Sequence, residues 1–146
     1  MKEANLDLTP DHSLNSMANA LERLGEVLLR DAAADPVLLD ATIQRFEFCF
    51  EINWKAIKKA LFALEGFDAT SPRQTFQKAF AVGWITDEAL WIDMLNARNL
   101  TSHTYREELA WDIYHRIQLY YPEFQRLHRL LVEKTLQSQQ APPSRK

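Results

Sequence analysis

The chain has 146 residues, of which 47% are hydrophobic and 11% aromatic, and it carries a formal net charge of −3. This length suits one domain with a sizeable core, and the acidic balance argues against tight, sequence-independent binding of RNA or DNA, which needs a basic surface. Only three glycines are present, which argues against hairpin-rich β architecture and against a glycine-rich phosphate loop, so long helices are expected.

The single cysteine, Cys49, lies in the apolar run "RFEFCFEI", where we expect it to pack as a small hydrophobe. A lone cysteine supplies neither a disulfide framework nor a zinc cluster, and the sequence predicts no metal site and no cofactor. No stretch approaches about 18 consecutive apolar residues, and the N-terminus lacks the apolar core of a signal peptide. We therefore expect a cytoplasmic protein that does not contact the membrane.

The first half of the chain predicts a loose lead-in over residues 1–12 and then two helices. The first has apolar residues at spacings of three and four and ends before Pro36. The second begins near Pro36, which suits a first helical turn, and ends at Gly66. It is apolar on two sides, which is typical of a central helix or an oligomer interface. Its polar side carries Glu47, Glu51 and Lys55, and Glu51 and Lys55 are spaced as a surface ion pair.

The second half predicts a short helix and two longer ones. Ser71 is expected to cap the short helix, Thr86 the next, and Thr104 the last, since Thr104 and Glu107 have capping-box spacing. The polar, proline-rich residues 137–146 are expected to be disordered. The sequence thus predicts an all-α fold over residues 13–136, an antiparallel four-helix up-and-down bundle with an additional short helix.

Residues 97–105, "ARNLTSHTY", gather hydrogen-bonding and acid–base side chains at a helix junction. On one straight helix Arg98 and His103 would point about 140° apart; they converge only if the backbone breaks at "TSHT" or if two copies meet across a symmetric dimer. Arg98 is suited to bidentate phosphate binding and His103 to proton transfer near neutral pH. Asn99 is suited to orienting the imidazole or the phosphate. These residues are a minimal set for cleaving RNA without a metal. The alternative interpretation is that they only cap helix ends.

Arg98, His103 and Tyr105 also match the R-x4-H-x-Y motif of HEPN-domain proteins. Together with "IQRFEFCFEINWKAIKKAL", "SPRQTFQKAF" and "WIDMLNARNLTSHTYREELA", in that order, the chain resembles the subfamily called nucleotidyltransferase substrate-binding proteins over roughly residues 36–131. The resemblance implies an all-α bundle, usually a homodimer, that pairs with a minimal nucleotidyltransferase (MNT) as a two-component nucleotidyltransferase or a toxin–antitoxin couple. It also implies a metal-independent ribonuclease with Arg98, Asn99 and His103 as catalytic residues, silenced by AMP transfer to Tyr105.

A second group of residues is predicted to line the cleft or the partner surface: Arg45, Glu51, Trp54, Lys55 and Ser102. The alternative for the helical members is a helix with buried aromatics and one surface ion pair. Three functions remain open at this point. They are an RNase toxin, a non-catalytic subunit that binds a nucleotide or another substrate for the MNT, and an interaction protein in which Tyr105 is only a modification target.

Overall fold

A computed structural model describes residues 10–140, and within that range the chain forms five α-helices and no strand. The helices are α1 (Pro10–Leu28), α2 (Pro36–Glu65), α3 (Pro72–Ala81), α4 (Glu88–Leu100) and α5 (Glu107–Gln140), and a 3-10 turn over Thr101–His103 separates α4 from α5. No helix of this described part is long and apolar enough to cross a membrane.

Hydrogen bonds made by side chains between helices show the directions of the four long helices. The Tyr121 hydroxyl donates to the Leu21 carbonyl, and the His128 ring contacts the Leu14 carbonyl, so later residues of α5 meet earlier residues of α1. The same reversed order holds for α4 against α5. Glu51 and Glu47 of α2 likewise meet Arg98 and Thr101 in reversed order. The four helices α1, α2, α4 and α5 therefore alternate in direction, and the short helix α3 packs against α2 and α4, which confirms the predicted up-and-down bundle.

Local sequence signals set most helix boundaries. Asp35 caps α2 by accepting from the Val37 amide at 3.1 Å, and α2 ends at Gly66, whose φ of 70° lies in the left-handed region. Ser71 caps α3 by accepting from the Gln74 amide at 3.1 Å, as predicted.

Two predicted caps are wrong. Asp87, not Thr86, caps α4, because its carboxylate accepts from the Leu90 amide at 3.1 Å. The Thr104 hydroxyl donates to the Thr101 carbonyl at 3.0 Å and so stabilises the 3-10 turn, and α5 begins only at Glu107.

The helices also extend beyond the predicted ends of the bundle. Residues 10–12 belong to α1, because Pro10 suits the first turn of a helix. Residues 137–140 continue α5, since this glutamine-rich run favours a helix and the prolines at 142 and 143 come later. The remaining predicted lead-in, 1–9, and tail, 141–146, lie outside the described residues.

An aromatic cluster joins the helices in the centre of the bundle. Its ring centroids lie 5.1–6.4 Å apart, in tilted, stacked and edge-to-face pairs. The members are Phe46, Phe50, Phe76, Trp91, Tyr120 and Phe124. Cys49 is also fully buried, as predicted, and burial raises the pKa of its thiol to about 12 against a smaller opposing effect of the hydrogen bond from Asn53.

Candidate functional site

The backbone breaks where the sequence predicts, between α4 and α5. The Thr101 hydroxyl contacts the Arg98 carbonyl at 2.7 Å, and the Ser102 hydroxyl donates to the Asn99 carbonyl at 3.4 Å. Short polar side chains thus satisfy carbonyls at the end of α4, and the chain turns as a 3-10 segment instead of continuing the α-helix. The turn lies at the end of the bundle where α4 stops and α5 starts, beside the first half of α2.

Arg98 is held by two carboxylates of α2. Its Nε donates to Glu51 Oε2 at 3.2 Å, and its Nη1 lies 3.8 Å from Glu47 Oε2. Nη1 also lies 3.4 Å from the Thr101 hydroxyl, which itself contacts Glu47. About a third of the Arg98 side chain remains exposed, so the guanidinium is fixed in direction and still open on one side. We call Arg98, Glu47, Glu51 and Thr101 the arginine clamp.

Trp54 holds the Glu51 carboxylate of the arginine clamp through a hydrogen bond. Its indole Nε1 donates to Glu51 Oε1 at 3.1 Å, while the other oxygen of Glu51 accepts from Arg98. Both oxygens of Glu51 are therefore engaged. The sequence predicted an ion pair between Glu51 and Lys55, but Glu51 pairs with Arg98 instead. Lys55 is exposed one position further along α2.

Two residues of the arginine clamp, Glu47 and Thr101, were missed as site residues. The available signal was the spacing of four between Glu47 and Glu51 on the polar side of α2, which places two carboxylates on one face of that helix.

His103 and Tyr105 form a separate, exposed pair. Their ring centroids are 6.1 Å apart with an edge-to-face angle of 74°, and Tyr105 is 81% exposed. Asn99 and Ser102 are also exposed. No hydrogen bond or ion pair links Arg98 to His103 within residues 10–140. One chain thus presents a fixed arginine and an accessible histidine at the same junction without joining them.

The start of the last helix is not suited to binding an anion. The first turn of α5 carries Glu107 and Glu108, and the helix begins four residues after His103. These carboxylates complement the helix dipole and would repel a phosphate there. An anion at this junction would have to approach from the side of Arg98 and His103.

Arg45 does not belong to this site. Its Nη1 donates to the Arg23 carbonyl at 2.7 Å and lies 3.3 Å from Glu26 Oε1, both on α1. On α2 it points about 200° away from Glu47, because each residue advances about 100°. Of the four residues predicted as a cleft wall on α2, the structure brings Glu51 and Trp54 to the site, leaves Lys55 at its edge and places Arg45 on the opposite side.

Comparisons with known proteins agree with this architecture. A family model described as "Nucleotidyltransferase substrate binding protein like" matches residues 12–133. The probable ribonuclease HepT of Haemophilus influenzae is 29% identical over 93 residues, which are 61% of this chain and 64% of that relative, a little under two thirds of its length.

Two solved structures have the same fold. A protein from Thermus thermophilus is 36% identical with a TM-score of 0.68, covering 81% of this chain and 97% of its own. HI0074 from Haemophilus influenzae is 25% identical with a TM-score of 0.71, covering 81% of this chain and 98% of its own. The HI0074 structure is described as the fold of a substrate binding domain of a nucleotidyltransferase.

Proposed function

The chain belongs to the family described as nucleotidyltransferase substrate binding protein like, and from this premise we propose that it is the helical subunit of a two-component nucleotidyltransferase system with a metal-independent ribonuclease site at the α4–α5 junction. The partner is a minimal nucleotidyltransferase, and the pair acts as a toxin and its antitoxin. The observation that carries the proposal is the combination of a fixed, partly open Arg98 with an exposed His103 on the 3-10 turn.

The chemistry is an internal transesterification of RNA. The 2′-oxygen attacks the adjacent phosphorus, the bond from phosphorus to the 5′-oxygen breaks, and the products are a 2′,3′-cyclic phosphate and a 5′-hydroxyl. His103 takes the proton from the 2′-hydroxyl or delivers one to the departing 5′-oxygen. Arg98 stabilises the added negative charge on the phosphorane. Asn99, one residue after Arg98, is placed to orient the phosphate or the imidazole.

Because no hydrogen bond or ion pair joins Arg98 to His103 among residues 10–140, we place the site between two copies of the chain. In the proposed two-fold symmetric homodimer, the α4–α5 junctions of both copies meet at the axis. Arg98 of one copy then faces His103 of the other.

Tyr105 is the proposed point of control. Its side chain is 81% exposed beside His103, so its hydroxyl is accessible to a second protein. In the proposed modification the phenolic oxygen attacks the α-phosphorus of ATP, pyrophosphate leaves, and AMP stays on the tyrosine. The added phosphodiester would place a negative charge next to His103 and obstruct the RNA phosphate.

The test is cleavage of RNA by the purified protein in EDTA, comparing wild type with His103→Ala and with His115→Ala as the matched control. His115 is exposed on α5, eight residues after the start of that helix, and packs beside Trp111. We expect wild type and His115→Ala to cut and leave 2′,3′-cyclic phosphate ends, and His103→Ala to lose activity by about 100-fold or more. Equal cleavage by all three proteins would reject the assignment of His103.

A second candidate function is supported by the arginine clamp. Glu47 and Glu51 already neutralise Arg98, which favours binding over stabilisation of a developing negative charge. In this second function the protein is a non-catalytic nucleotide-binding subunit, and the junction holds a substrate for the partner enzyme. This alternative predicts that the folded protein cleaves no RNA even when mass spectrometry shows that Tyr105 is unmodified. It also predicts nucleotide binding that is lost in Arg98→Ala.

A further inference from the structure

Helix α2 carries a regular row of side chains on its outward face. Its members are Phe48, Ile52, Lys55, Lys59 and Phe62, which we call the α2 stripe. They recur at spacings of four and three, the spacing of the contact residues in paired helices. Phe48 is 52% exposed and Phe62 is 62% exposed, so two large aromatic rings, about 21 Å apart along the helix axis, lie in water.

An apolar groove adjoins one end of the α2 stripe. It lies between α1 and α2, has a volume of about 240 Å³, and is lined by Ala20, Phe48 and Ile52 with Arg23 and Arg45 at its side. The bond from Arg45 to the Arg23 carbonyl fixes its wall. The groove therefore offers a preformed site for one large apolar side chain.

The α2 stripe is basic although the whole chain is acidic. Lys55 and Lys59 form no ion pair with any residue in 10–140. The carboxylate one helical turn before Lys55 is engaged elsewhere, since Glu51 binds Arg98 and Trp54. The surface thus combines apolar anchors with two uncompensated cations.

We propose that the α2 stripe and its groove bind an acidic amphipathic helix of another protein. Apolar residues of that helix, at spacings of four and three, would cover Phe48, Ile52 and Phe62, and its Asp or Glu residues would face Lys55 and Lys59. A second copy of this chain fits less well, because a two-fold interface brings the same patch together and would oppose lysines to lysines. RNA also fits less well, since the groove and the ends of the stripe are apolar rather than a continuous track of cations.

This inference goes beyond the proposed function and is independent of it. The stripe contains none of Arg98, His103 or Tyr105, so a failure of RNA cleavage leaves it standing, and its own failure leaves the cleavage proposal intact.

The experiment is a fluorescence anisotropy titration of the full chain with a labelled helical peptide of about three heptads, with leucines at spacings of four and three and flanking glutamates. A second peptide has lysines in place of the glutamates. We expect the acidic peptide to bind wild type and to bind Lys55→Glu/Lys59→Glu about tenfold more weakly. The lysine peptide should show the reverse order, and Phe48→Ser should also bind the acidic peptide more weakly. The matched control, Arg129→Glu/Leu136→Ser on the exposed side of α5, should bind like wild type.

Four results would overturn the proposal. One is equal affinity of the acidic peptide for wild type and the charge-reversed variant, when circular dichroism shows that both proteins are folded. Another is a labelled oligouridylate that binds wild type and displaces the peptide, which would make the stripe an RNA surface. A charge-reversed variant that sediments as a monomer while wild type is a dimer would assign the stripe to self-association. Binding only after deletion of residues 1–9 would assign it to the chain's own N-terminal segment.

Discussion

Two acidic residues show how this bundle neutralises partly buried charge. Glu51 divides its oxygens between the Trp54 indole and Arg98, and Glu123 accepts from the Trp91 indole at 2.9 Å and from Arg126 at 2.7 Å. In each case one carboxylate joins an aromatic N–H to a guanidinium. Glu51 links α2 to α4 in this way and Glu123 links α4 to α5, so both sides of α4 are held by a charge-assisted hydrogen bond.

The Glu123 carboxylate should make stability depend on pH. Burial raises the pKa of Glu123, but the hydrogen bonds from Arg126 and Trp91 lower it by more, so the pKa lies below its ordinary value. The stabilisation is therefore complete above the pKa of the unfolded chain, about 4.3, and is lost as pH falls through the folded pKa. We expect Glu123→Gln to unfold at a lower temperature than wild type at neutral pH, with the difference shrinking as pH falls below about 4.3.

Thermal unfolding followed by circular dichroism across this range measures the effect of Glu123. Glu22→Gln, at an exposed position on α1, is the matched control. A gap between wild type and Glu123→Gln that stays constant with pH would contradict the ionic interpretation.

The helices themselves could be predicted closely from sequence because their boundaries are local. Pro36, Gly66 and Ser71 act through their own backbone angles or through amides two or three residues away. The contact from Arg98 to Glu51 could not be predicted in this way, since it spans 47 positions of the chain. Periodicity tells which face of a helix is apolar, but the rotation of α4 against α2 depends on how the aromatic core packs.

The same limit explains Arg45 and His103. Both lie in segments that were predicted as parts of one site, yet the directions of their side chains follow from the angle around α2 and from the 3-10 turn. A change of one residue in the turn would rotate His103 by about 100° or more. The residue types of the site were visible in the sequence, whereas their mutual geometry was not.

Gly66 provides a test of the boundary of α2. Its φ of 70° is unfavourable for residues with a Cβ, and no atom lies within 4 Å of the position that a Cβ would take. The cost of Gly66→Ala is therefore conformational, and we expect about 1 kcal/mol lower stability in urea unfolding. Gly66→Asn should cost less, because asparagine tolerates the left-handed region better. Equal stability of glycine and alanine would show that α2 ends differently in solution.

At the scale of the whole molecule, the proposed ribonuclease requires two copies of the chain. If Arg98 of one copy acts with His103 of the other, each single variant is inactive alone, but a mixed dimer retains one intact site. Mixing Arg98→Ala with His103→Ala in equal amounts, after unfolding and refolding together, should restore about a quarter of wild-type cleavage. Half of the dimers are then mixed, and in each mixed dimer one of the two sites is intact.

The matched control for this mixing is each variant refolded with itself, which should stay inactive. Continued inactivity of the mixed sample, with mixed dimers verified by mass spectrometry of differently tagged chains, would mean that Arg98 and His103 act within one chain.

The buried thiol makes opening of the whole core measurable by chemical labelling. Cys49 is the one cysteine of the chain and is fully buried, and its raised pKa keeps it protonated at neutral pH. Alkylating reagents react with the thiolate, so modification requires the bundle to open around α2. The rate of labelling therefore measures how often the core opens. For the same reason a cysteine introduced at an exposed position such as Lys55 could carry a spin label or a fluorophore without background from the native chain.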